Sequence, residues 1–327
     1  MSAPKGKFLA ISGGVGGAKL CLGLAHVLAP EEVTFIVNTG DDFEHLGLHI
    51  SPDLDTLTYT LSGLSNAELG WGRENESWNF IAALKQLGGA TWFNLGDADL
   101  ATHVMRTEML KSGVGLTAAT ATLSENVGIK HTILPMSNDP VRTVVHSDAG
   151  DLAFQHYFVR DRCEPAVSGF SFVGSEEATI SPELRQRLDD PDLSGVIICP
   201  SNPFVSIDPI FAVREIAEWL DARRVPVIAV SPIVAGTAIK GPTAKMMAEL
   251  AVPASAEAVA QHYSGKIDGF ILDQQDAALL SKVATLNIET TVAQTVMLTL
   301  SDRIELAETA VEFLRRQRST AVRTANS

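Results

Sequence analysis

The stretch that most constrains this chain is VNTGDDFEHLGLHISPDLDT, residues 37–56. It holds four aspartates, Asp41, Asp42, Asp53 and Asp55, and two histidines, His45 and His49, with no sustained helical or alternating apolar period. The apolar run at residues 33–37 before it reads as a buried strand. Carboxylates gathered just past the carboxyl end of a buried strand are costly to place unless something positive meets them. In an open α/β sheet that edge is where ligands bind. The pattern therefore points to a metal-and-phosphate site with this loop as its acidic wall. The alternative is a solvated loop whose aspartates cap helices and make turns. Asp53 and Asp55, two apart, point the same way on an extended segment and could share a cation, or Asp53 caps the helix that follows. Asp41, Asp42 and Asp55 are the candidate metal ligands, and Asp53 and Asp55 the candidate catalytic carboxylates.

Upstream, the apolar residues 8–11 suit a first strand, followed by SGGVGGAK at residues 12–19 and then a helix with Leu20, Leu24, Val27 and Leu28 on one side. Strand, glycine-rich turn, helix is the context in which backbone N–H groups cradle a phosphate at a helix N-terminus. Gly13, Gly14, Gly16, Gly17 and Lys19 are the candidate residues. The spacing matches neither the Walker pattern nor a strict dinucleotide fingerprint, so a plain turn is the competing reading. Two successive strands ending at one edge bring the glycines and the aspartates face to face.

The rest of the chain sorts by period. Residues 57–64 read as a helix. GWGRENESW, residues 70–78, carries Trp71 and Trp78, which read as core packing ahead of the alternative, a ligand platform. A helix runs from Asp97 or Asp99 to Lys111, with His103, read as a buried hydrogen-bonded histidine, one turn from Arg106. From His131 the pattern alternates, broken by Ser147-Asp148-Ala149-Gly150 as a β-hairpin turn. The parallel pattern resumes at Gly195, with strands at residues 195–200, 225–230 and 267–272 and a last amphipathic helix at 303–314. Ser201, Asn202 and Ser231 follow strands directly and reach the glycine-loop edge, where they could bind phosphate, ribose or a base, or simply cap. The expected fold is α/β: a Rossmann-like, mostly parallel sheet with helices on both faces. It forms a single domain over residues 1–327, with a helical and β-hairpin insertion at about 57–190 and a frayed tail at 316–327.

The 327 residues are 46% hydrophobic and 20% charged, enough for a real core. Lys plus Arg number 25 against 39 Asp plus Glu, a formal net charge of −14. Such a surface repels nucleic acid but accepts an anionic small ligand wherever a nest of N–H groups or a cation reverses the field. Cys21, Cys163 and Cys199 form no CxxC and read as reduced thiols of a cytoplasmic protein. No apolar run approaches the roughly 18 residues of a membrane span, and the N-terminus does not read as a signal peptide.

Together SGGVGGAK, the acidic loop, GWGRENESW, NLGDADLATH, LPMSNDPVRT, PSNPFVSI and VSPI resemble the 2-phospho-L-lactate transferase family of deazaflavin coenzyme F-420 biosynthesis, in order over about residues 8–315. The resemblance implies a homodimer acting on small molecules by a Mg²⁺-dependent transfer. The donor would be a guanosine diphosphate conjugate of lactate, enolpyruvate or glycerate, and the acceptor 7,8-didemethyl-8-hydroxy-5-deazariboflavin (Fo). GMP would be released. It also implies Fo contacts at Asp55 and at Asn94, a position where the family commonly carries a basic residue. Related nucleotide-sugar-binding regulators share the glycine and acidic loops without transferase chemistry, but lack PDLDT and the tryptophan-rich segment present here. A nicotinamide oxidoreductase is disfavoured, because residues 38–40 are Asn-Thr-Gly where one acidic ribose ligand belongs.

Overall fold

Strands buried on both faces lose the apolar–polar alternation and become continuous apolar runs. Among the described residues five segments have that character, and each is a central strand. The computed structural model describes residues 6–66 and 71–325; Gly70 of the tryptophan-rich stretch and the last two residues of the expected tail lie outside the described residues. One seven-stranded sheet forms the centre, built from β1 Lys7–Ser12, β2 Val33–Val37, β3 Thr132–Pro135, β4 Leu193–Ile198, β5 Val227–Val230, β6 Gly269–Asp273 and β7 Glu289–Ala293. All pairings are parallel, in the order β7-β6-β5-β4-β1-β2-β3. Strand order reverses at β1, where Ile11 sits between Ile36 of β2 and Ile198 of β4. That crevice is the ligand position of a doubly wound sheet.

Alternate residues of each strand feed two cores, Leu9 and Ile11 one, Phe8 and Ala10 the other. Helix α1, Gly14–Val27, covers the second face together with the last helix, Leu300–Ala325. The two helices come close because residue 23 is glycine: a Cβ there would run into the Arg303 backbone. The last helix begins three residues before the expected start and takes in most of the expected tail.

Between β2 and β3 lie the small hairpin Phe43–His45/Leu48–Ile50 and several helices, among them α2, Pro52–Ser62, and α3, Asp97–Lys111. Between β3 and β4 the strands Arg142–Ser147, Gly150–Ala153 and Val167–Val173 form an antiparallel sheet. The expected hairpin turn is there, with Gly150 at φ +94° opposite Ser147. The stretch read as one insertion is thus interrupted by a strand of the main sheet, β3, with a helical crossover before it and a β excursion after it.

Candidate active site

At the end of β1 the chain turns through Gly13 into α1. Gly14 takes φ +64°, a region that side chains with a Cβ avoid. Gly13 is extended but crowded: a Cβ there would lie 2.6 Å from Ser206 Cβ and 2.8 Å from Asp53 Oδ2. Cβ atoms at Gly16 and Gly17 would strike the Pro200 carbonyl and the Ser12 and Ser201 hydroxyls. The glycines therefore let the loop after β4 and the start of α2 close onto α1. A helix leaves its first N–H groups without helical partners. Gly13 N–H donates to Ser201 Oγ (3.2 Å) and Gly14 N–H to Asp53 Oδ1 (2.7 Å). Among the described residues the N–H groups of Val15 and Gly16 have no such partner, and both residues line the cavity described below.

The acidic loop divides into three sets. Asn38, at the end of β2, donates its amide to Asp41 Oδ1 (3.0 Å), Asp53 Oδ2 (3.0 Å) and the Val205 carbonyl (3.3 Å). Gln155 donates to Asp41 Oδ2 at 3.3 Å. Burial, then Asp53 and Asp42, raises the Asp41 pKa well above the ordinary carboxylate range. Burial pushes Asp53 up to about 6, against the opposing bonds from Asn38 and Gly14. Among the described residues no lysine or arginine forms an ion pair with either. Asp42 instead accepts from Ser51 Oγ (2.8 Å) and meets His49 Nε2 (3.1 Å).

Asp55 belongs to the third set. Arg106 of α3 donates Nη1 to its Oδ2 (3.1 Å) and Nη2 to its Oδ1. His103 Nδ1 lies 3.6 Å from Asp55 Oδ2, and His103 Nε2 lies 3.3 Å from Asp99 Oδ2. Tyr59 donates to Asp99 Oδ1 at 2.6 Å. Burial works against the Asp99 charge, but His103, Tyr59 and Arg106 outweigh it and hold its carboxyl below the usual range. Burial and the charges of Asp55 and Asp99 push the Tyr59 hydroxyl well up.

The candidate metal ligands Asp41, Asp42 and Asp55 thus have different partners, and the reading of Asp53 and Asp55 as an extended pair sharing a cation is corrected. The cause is local: the chain is already helical at Pro52, so residues two apart diverge by roughly 200° around the helix axis instead of projecting together as on a strand. Asp53 turns to the glycine loop and Asp55 to α3. Neither is an N-cap, since Ser51 holds that position.

A cavity of about 600 Å³ joins the first and third of these sets. Gly13, Gly14, Gly16, Lys19, Ser201, Asn202 and Ser231 line it on the switch-point side, and Asp55, Asn94, Asp99 and His103 line it beside α3, with Asp41 and Asp53 also in its wall. Gly17 and Asp42 are not in the lining. Lys19 Nζ donates to the Met297 carbonyl at 2.9 Å, and burial, then Arg303 and Lys240, lowers its pKa. Two expected ligand groups are partly engaged locally: the Asn202 side chain accepts from Phe204 N–H (3.0 Å), and Ser231 Oγ donates to the Ile233 carbonyl (2.8 Å). Trp71 and Trp78 are not core residues: Trp71 is 45% exposed, lines the cavity and meets Trp78 edge-on at 6.3 Å. Asn38 and Gln155 were not singled out by sequence. Their only signal is an amide near a strand end or a hairpin, which many residues share.

A family model described as 2-phospho-L-lactate transferase CofD matches residues 8–314. The 2-phospho-L-lactate transferase of Methanosarcina mazei is 37% identical over 301 residues, covering 92% of this chain and 98% of that protein. The phosphoenolpyruvate transferase of Kitasatospora aureofaciens is 38% identical over 314 residues, covering 93% and 97%. Among solved structures, a UPF0052-family protein from Bacillus halodurans has a TM-score of 0.62 at 13% identity, covering 94% of this chain and 100% of that one, a likeness of fold alone. With the match running through the glycine loop, the divided acidic loop and α3, the chain belongs to the 2-phospho-L-lactate transferase family.

Proposed function

We propose that this chain transfers a phospholactate-type group, carrying lactate, enolpyruvate or glycerate, from a guanosine diphosphate-linked donor to Fo, releasing GMP, in coenzyme F-420 biosynthesis. The observation that carries the reading is one cavity lined both by the switch-point glycine loop and by Asp55 and Asn94, with two buried carboxylates in its wall that form no ion pair with a lysine or arginine among the described residues.

Asp41 and Asp53 suit a hard divalent cation: both are buried oxygen donors, braced on one amide and raised in pKa by burial and by neighbouring carboxylates. Asp55 does not, because a guanidinium already occupies its two oxygens. Magnesium bound there would polarise the reacting phosphorus and ease loss of the hydroxyl proton.

Everything else is positioning by the chain, as such transfers require. The free N–H groups of Val15 and Gly16 point the α1 dipole at donor diphosphate oxygens, and Lys19 adds charge on that side. Asp55 accepts a hydrogen bond from the ribityl end of Fo, while Asn94 bonds the ring as a neutral donor and acceptor. The ribityl oxygen forms a bond to the phosphorus bearing the acid, and the bond from that phosphorus to GMP breaks.

Relatives named for phospholactate and for phosphoenolpyruvate match at nearly the same identity, so identity does not select the acid. Incubation with Fo, Mg²⁺ and each guanylyl donor in turn, read by mass, tests the proposal. A phosphodiester of Fo and equimolar GMP from at least one donor are expected; no product from any donor rejects it.

A further inference from the structure

Among the described residues no lysine or arginine forms an ion pair with Asp41 or Asp53, yet Asp55, on the same turn of α2 as Asp53, has Arg106. Arg106 is only 2% exposed. Its fork meets both oxygens of Asp55, a geometry that fixes the carboxylate in rotation as well as position. The same Nη1 lies 3.4 Å from the His49 carbonyl and 3.4 Å from His103 Nδ1. Its Nε, buried, has no hydrogen-bond partner among the described residues, so the guanidinium is oriented toward Asp55 and its neighbours.

Those neighbours would otherwise make a different site. Asp55, Asp99 and His103 each offer a ligand atom, and the three atoms lie within 4.8 Å of one another. All three residues line the cavity. Two carboxylates and an imidazole are a donor set for a divalent ion. Enzymes that move phosphoryl-type groups often use two cations; here the guanidinium pairs with Asp55 and not with Asp41 or Asp53.

We propose that Arg106 is the resident cation of the acceptor side. It aims the Asp55 carboxylate at the hydroxyl-bearing substrate, and it holds the place that Asp55, Asp99 and His103 would otherwise offer to a divalent ion. It is a positioning residue and does not touch substrate. The substrate half of this inference rests on the proposed function; the metal half does not.

The test compares the parent protein with Arg106→Met and Arg106→Lys, each checked for a native near-ultraviolet circular dichroism spectrum. Manganese binding is measured by calorimetry and Fo binding by fluorescence. Arg106→Met is expected to bind one more Mn²⁺ per chain than the parent, and that extra ion is lost when Asp99→Asn is added. Its Fo affinity falls at least tenfold, while guanosine nucleotide affinity changes less than twofold. Arg106→Lys keeps the parent stoichiometry but loses at least threefold in Fo affinity, because a point charge cannot hold both oxygens. Unchanged Mn²⁺ stoichiometry in folded Arg106→Met overturns the inference, as does unchanged Fo affinity in either variant. Should Arg106→Met not fold, Arg106→Lys decides by Fo affinity alone. A parent protein that binds no Fo rejects the proposed function instead, and the Mn²⁺ count still decides the metal half.

Discussion

Asp53→Asn should make the metal-free protein more stable and the enzyme inactive. Asp53 is buried with Asp41 on one amide, and its pKa is raised from 3.8 to about 6. That difference corresponds to about 3 kcal/mol of disfavoured ionisation. The sign follows from linkage. A carboxyl raised in the folded state is protonated in both states below about pH 4, so it carries no penalty there; the penalty grows between about pH 4 and 6 and is complete above. Asparagine removes the charge and keeps the bond from Gly14 N–H, but sets an amide against the Asn38 amide, losing about 1 kcal/mol. The net gain at pH 8 is about 2 kcal/mol, which for a chain of this length is a Tm rise of about 3 °C. At pH 4 the gain is absent or slightly reversed. Differential scanning calorimetry of both proteins, with chelator and with Mg²⁺ at the two pH values, reads all of this. The parent should gain Tm with Mg²⁺ at pH 8 and the variant should not. A variant less stable than its parent at pH 8 in chelator would refute the reasoning, because the buried pair would then not be under strain.

Asp41→Asn should abolish Mg²⁺ binding in calorimetry, whereas Asp42→Asn, outside the cavity lining and held by Ser51 and His49, should change it less than fivefold. Gly14→Val places a branched side chain at φ +64°, a strain of about 1–2 kcal/mol. Guanosine nucleotide affinity should fall about 5- to 30-fold in titration, with Fo affinity nearly unchanged. Asn94→Ala removes a neutral hydrogen bond of roughly 0.5–1.5 kcal/mol, so the Fo KM should rise about two- to twelve-fold at constant kcat. An unchanged KM would remove Asn94 from the ring contact.

The parts legible in sequence were those set by burial along one segment. The runs ending at Ser12, Val37 and Ile198 are apolar on both faces, which only a covered parallel sheet tolerates, and the glycine turn between strand and helix located the switch point. Thr132–Pro135 was hidden because four residues beside an antiparallel excursion look like part of it. The acidic loop was legible as a wall at the carboxyl edge of the sheet, where Asp41, Asp53 and Asp55 line the cavity, but not in its partition. Whether Asp53 and Asp55 face together depends on where α2 begins, and it begins at Pro52, ahead of both. The pairing of Asp55 with Arg106 spans 51 positions and follows from how α3 packs, which no local pattern encodes. Trp71 departs from the favoured core reading because aromatic residues are usually buried, whereas this one lines a cavity.

The most direct measurement is a single turnover with Fo carrying ¹⁸O in its ribityl hydroxyl, Mg²⁺ and a guanosine diphosphate-linked donor, with both products read by mass. Attack by that hydroxyl on the phosphorus bearing the acid predicts that the label stays in the phosphodiester product and that GMP is unlabelled, one per product. Label lost from the product, or GDP released in place of GMP, would contradict the account.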